Sequence, residues 1–85
     1  MRVLFLTTSG CQLCEQAQEL AEPVCARYGY VLEPVDIADS DALIDSYGAL
    51  IPVIRAEGAA VELRWPFEVH TVEEYLAHVS GGQPE

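Results

Sequence analysis

An α/β fold of element order βαβαββα is predicted for this chain, and three features carry the prediction. Short apolar runs bounded by turn residues alternate with segments whose apolar residues recur at helical spacing. The first three elements form a βαβ unit, which makes strands one and two parallel with a right-handed crossover. The last two strands are close enough in sequence to form a hairpin, so the sheet is four-stranded and mixed, with helices packed on it. A length of 85 residues suits one domain with one modest core, assigned here to residues 1–80 with a flexible tail at 81–85.

Each element has its own signal. "RVLFLT" (Arg2–Thr7) is short, apolar and ended by "TSG", which predicts a buried strand. From about Gln12 the period changes. Cys14, Ala17, Ala21, Val24, Cys25 and Tyr28 recur at helical spacing, with Gly29 as the stop and Pro23 predicting a kink or loosening. "YVLEPVDI" (Tyr30–Ile37) is the second strand, and Pro34, which has no N–H to give to a ladder, places it at a sheet edge. "DSDALIDSYG" supplies Asp and Ser caps, an apolar face of Leu43, Ile44 and Tyr47, and a Gly48 stop, predicting a short helix. "IPVIRAEGAAVELR" predicts strands over Val53–Arg55 and about Ala60–Leu63, joined by a turn at Glu57-Gly58. The last helix is placed by "HTVEEYLAHV", with Thr71-x-x-Glu74 as a capping box ahead of Val72, Tyr75, Leu76 and Val79.

Composition excludes several functions. Hydrophobic residues make up 51% of the chain, too many for a disordered segment. The runs "VLFL" and "LIPVI" are far too short to span a bilayer, and the four-residue apolar segment of "MRVLFLTTSG" is shorter than the apolar region expected of a signal peptide. The reading is therefore a soluble, cytoplasmic, monomeric protein. A formal charge of -10, from 14 acidic and 4 basic residues, argues against nucleic acid and anionic membranes as partners. It serves either as a solubilising surface or as a preference for a partner with a basic face.

The chemistry lies in "TTSGCQLCEQAQEL", where Cys11 and Cys14 stand where a strand gives way to a helix. Three cysteines cannot form a complete internal disulfide framework, so the pair is redox-active, half of a metal site, or two buried thiols. A structural zinc site wants four ligands, and the remaining Cys25, His70 and His78 have no recognisable ligand spacing. Redox exchange needs a thiolate, which the first turn of a helix stabilises through its free N–H groups and macrodipole. That assigns Cys11 as nucleophile and Cys14, one turn later, as resolving thiol. Glu15 and Glu19 offset part of this effect. Ile51-Pro52 precedes a strand, where a cis proline makes a tight turn.

A C-x-x-C that opens the helix of a βαβ unit, with a proline ahead of the third strand, resembles the thioredoxin fold. The minimal length, "CQLC" and "YGALIPVI" resemble its small glutaredoxin-like branch over nearly all of the chain, including a Pro-Phe pair at Pro66-Phe67. The resemblance implies thiol–disulfide oxidoreductase activity and a cis proline at Pro52 lying against the cysteines. It also implies substrate contacts from Ile51, Pro52 and the intervening Gln12 and Leu13. No bound cofactor is implied; glutathione is a possible reductant, and the partner is glutathione or a disulfide-bearing protein. The chain departs from typical dithiol glutaredoxins in having Gln12-Leu13 for Pro-Tyr, Leu50-Ile51 for Thr-Val, "RWPFEVHT" for a Gly-Gly-Asp stretch, and no lysine. The alternative is a non-catalytic thioredoxin-like binding module or metal carrier.

The other candidates have structural readings beside functional ones. Cys25 shares the apolar face of Cys14 and reads as a core thiol or a regulatory one. His70 sits at a helix entrance and His78 near a helix C-terminus, where a cation is favoured. Arg55 and Arg64 are solvated strand ends or receivers of a substrate carboxylate. Trp65, Pro66 and Phe67 cover the core or form an apolar docking patch.

Overall fold

The computed structural model describes residues 2–81, so of the tail expected at 81–85 all but Gly81 lies outside the described residues. Four strands, β1 (Arg2–Thr7), β2 (Val31–Asp36), β3 (Val53–Ala56) and β4 (Leu63–Arg64), form one sheet in the order β2-β1-β3-β4. β1 and β2 are parallel, and both β1–β3 and β3–β4 are antiparallel. Three helices, α1 (Gln12–Arg27), α2 (Asp41–Tyr47) and α3 (Val69–Gly81), complete the order βαβαββα. Among the described residues no helix is long and apolar enough to cross a membrane.

Alternation along the strands divides the core between the two faces of the sheet. Val3, Phe5, Ile54 and Ala56 turn to one face, where Ala17, Ala21, Val24 and Cys25 of α1 and Val72 and Leu76 of α3 bury them. Leu6 and Val53 turn to the other, against Ile37 and the half-buried Leu43 and Tyr47. Burial of each large side chain contributes about 1.5–3 kcal/mol, so the larger cluster on the α1 and α3 face dominates.

β2 lies at the sheet edge, as its Pro34 requires. α1 ends at Tyr28 and Gly29, whose φ of 76° lets Gly29 N–H bond Ala26 O at 3.0 Å and Tyr30 N–H bond Cys25 O at 2.9 Å. This is a Schellman stop, open to glycine because a side chain resists that φ. α1 continues through Pro23, which lies on its exposed face, so the missing N–H costs no core contact. Tyr28 leaves the predicted apolar stripe; half-exposed, it donates its hydroxyl to Glu73 O at 3.2 Å and stacks near Tyr30.

A 3-10 turn over Ile37–Asp39, capped by Asp36 through Ala38 N–H at 2.9 Å, was not foreseen. Ser40 caps α2 through Leu43 N–H at 3.3 Å. β4 is shorter and later than the predicted Ala60–Leu63. Residues 60–62 leave the ladder because the Tyr75 hydroxyl captures Val61 O at 2.7 Å while accepting Ala56 N–H at 2.9 Å. α3 begins two residues before the predicted cap. Glu68 O accepts the first helical N–H, from Val72, and Thr71 Oγ1 accepts the Glu68 N–H at 3.2 Å. Thr71 thus fills the reciprocal half of a capping box, the role expected of Glu74.

Candidate active site

Cys11 is the N-cap of α1, with extended backbone (φ -97°, ψ 107°). Gly10 before it has a φ of 78°, which turns the chain from β1 into the helix. The Cys11 sulfur replaces the hydroxyl or carboxylate of an ordinary cap: Sγ accepts the Cys14 N–H at 3.2 Å. Cys14, one turn on, is buried, whereas Cys11 is half-buried, and both are free thiols. Burial pushes the Cys14 thiol up and its hydrogen bond to Cys11 pushes it the same way, against smaller opposing contributions from the Thr7 side chain and the Thr8 backbone. Cys14 thus holds its proton more tightly than an ordinary thiol.

The rest of the site comes from strand register. Thr7 of β1 is paired with Asp36 of β2. Leu6 is paired with Val53, and Val53 with Arg64. One residue further along the same row come Pro52 and Trp65, joined by a Trp65 N–H to Pro52 O bond of 3.1 Å. Asp36, Thr7, Pro52 and Trp65 therefore cross the sheet at the end where α1 begins. The Ile51–Pro52 peptide bond is cis, and so is Trp65–Pro66, which the sequence did not suggest. Ile51 touches both core clusters and Cys11 packs against the larger one. Trp65, half-buried, meets the buried Phe67 edge-on at 5.0 Å. Gln12 and Leu13 are exposed on the first turn, Leu13 by 48%.

Other candidates lie apart. Cys25 sits in the core in the last turn of α1, its thiol pushed up to about 11 by burial and then by Glu22. His70, in the first turn of α3, lies 3.6 Å from Glu68, and His78 is in the last turn. Arg55 donates to Ala59 O and to the Tyr47 hydroxyl, and Arg64 pairs with Glu62 at 3.1 Å. Among the described residues no three His, Cys, Asp or Glu side chains gather to hold a metal ion. Thr7 was overlooked by sequence reasoning; its place as the last residue of the strand before the motif was the available signal.

The fold recurs in known proteins. The crystal structure of XcR50 from X. campestris, a structural-genomics target, is similar with a TM-score of 0.74 and 29% identity, over 96% of this chain and 99% of that one. Its solution structure gives 0.72. Thioredoxin 1 from Thermosipho africanus, 15% identical over 95% of this chain and 99% of its own, shares the fold with a TM-score of 0.60. No curated protein matches the chain. Residues 2–77 match the family model of the Glutaredoxin-like domain (DUF836), and with this sheet order and this C-x-x-C helix start the chain belongs to the glutaredoxin-like family of thioredoxin-fold proteins.

Proposed function

We propose that the protein is a thiol–disulfide oxidoreductase in which Cys11 attacks and Cys14 resolves. The observation that carries this reading is the bond from Cys14 N–H to Cys11 Sγ at the N-cap of α1. A donor aimed at a sulfur stabilises a thiolate, and the helix N-terminus adds to it. Cys14, buried with its proton held, is the poorer nucleophile at the outset and is protected from direct attack.

In the first step Cys11 Sγ⁻ forms a bond to one sulfur of the substrate disulfide. The S–S bond breaks, and the other sulfur leaves as a thiolate that takes a proton. Cys14 then loses its proton and attacks Cys11 Sγ. The mixed disulfide breaks and the second substrate thiol is released. The substrate gains two electrons, the pair becomes a disulfide, and an external dithiol reductant restores it. Ile51 and Pro52 stand at the thiol end of the sheet in the row with Trp65, the Pro52 side chain fully buried, and the exposed Gln12 and Leu13 meet the substrate chain.

A Cys14→Ser variant offered a peptide disulfide is expected to stall as a stable mixed disulfide through Cys11, visible by intact mass. Cys11→Ser is expected to form none. Equal trapping by both variants, or by neither, contradicts the assigned roles.

A further inference from the structure

Charge at the thiol end of the sheet points to the class of disulfide this site takes. Glu15 stands in the first turn of α1 and Asp36 ends β2 in the Thr7 row, while Asp39, Asp41 and Asp45 follow on the connection from β2 to β3, which packs on the sheet face opposite α1. None of these carboxylates is ion-paired with an arginine among the described residues. The chain has no lysine, and its four arginines are engaged elsewhere. Arg2 opens β1 at the far end of the sheet and holds Glu33 and Glu57, each at 2.9 Å. Arg27, at the last turn of α1, holds Glu73 at 2.6 Å. Arg55 binds Tyr47 and Ala59, and Arg64, nearest the site in register, binds Glu62. At the same end of the sheet the exposed Leu13 and the half-buried Ile51 and Trp65 offer apolar contact area without a cation.

We infer that the site selects protein disulfides flanked by lysine or arginine and disfavours glutathione disulfide; this rests on Cys11 and Cys14 exchanging as proposed above. Glutathione is net negative at neutral pH, and among the described residues Arg2, Arg27 and Arg64 are paired with glutamates while Arg55 is held by Tyr47 and Ala59, so its carboxylates find no arginine free of partners. A cationic segment is drawn to unpaired acids, which raise its encounter rate and lower that of an anion. The apolar strip then holds the segment's neighbouring side chains while Cys11 attacks.

The test mixes the reduced full chain in single turnover with mixed disulfides of 5-thio-2-nitrobenzoate. One carrier is a blocked cysteine peptide flanked by arginines, one a neutral peptide, one flanked by glutamates, and one glutathione. Each rate is divided by that of the same probe with 2-mercaptoethanol, which removes intrinsic reactivity. The arginine peptide is expected to react at least ~10-fold faster than the glutamate peptide and glutathione at low ionic strength, with the gap closing at high salt. Glu15→Gln combined with Asp41→Asn is expected to narrow the same gap. Equal normalised rates, or glutathione reacting fastest, overturn the substrate class and leave the exchanging pair standing. No reaction above that of Cys11→Ser with any probe overturns both.

Discussion

Cys11 and Cys14 have the same side chain, and their surroundings make them different reagents. Cys11 is reachable and receives a hydrogen bond, while Cys14 is buried with its thiol pushed up. Iodoacetamide at neutral pH is therefore expected to modify Cys11 at least ~10-fold faster than Cys14 or Cys25, as peptide mapping of the reduced protein measures. Comparable rates for Cys11 and Cys14 contradict this difference. The residue before the pair is equally constrained. Gly10 holds a φ of 78°, which an L side chain adopts only at a cost, so Gly10→Ala is expected to lower stability by about 1 kcal/mol in urea denaturation. No change would mean that the turn tolerates a side chain.

At the scale of elements, one side chain anchors the second half of the sheet. The Tyr75 hydroxyl of α3 accepts the Ala56 N–H at the end of β3 and donates to Val61 O in the β3–β4 connection. Tyr75→Phe leaves the buried Ala56 N–H without its partner. A loss of about 1–3 kcal/mol is expected, with the denaturation slope unchanged. This bond also explains why β4 was misplaced from sequence. "AAVELR" has strand-like apolar residues, and the capture of Val61 by a residue of α3 is a long-range event that no local pattern carries. The elements set by local signals were legible: β1 by its apolar run, α1 by its buried stripe and Gly29, the edge position of β2 by Pro34. The start of α3 was three residues off because Thr71 has the same hydroxyl whether it is the cap or the residue three positions inside it. The site was legible in part for the same reason. C-x-x-C and Ile51-Pro52 are local, whereas the row Asp36–Thr7–Pro52–Trp65 exists only once the strands are in register.

Over the whole molecule, buried protons set the response to alkali. Burial raises the Cys25 thiol from the ordinary 9.0 to about 11, and Cys14 and Tyr75 shift in the same direction. A group that holds its proton more tightly when folded contributes stability fully below its unfolded value. That contribution is lost as pH rises towards the folded value. Stability is therefore expected to fall between about pH 9 and about pH 11, and Cys25→Ala to show a shallower fall from a lower starting stability. An unchanged slope in the variant would assign the decline to other groups. The excess of carboxylates acts on the same scale, through the long-range field that a formal charge of -10 sets up around the fold.

All of this turns on whether Cys11 and Cys14 form a reversible disulfide within one chain. The direct measurement equilibrates the full chain in buffers of reduced and oxidised dithiothreitol under argon. Remaining thiols are then alkylated after acid denaturation and counted by mass. The account predicts one two-electron transition, with Cys11 and Cys14 protected together on the oxidised side and Cys25 alkylated throughout. All three thiols alkylated at every ratio, or a bridge that includes Cys25, would contradict it.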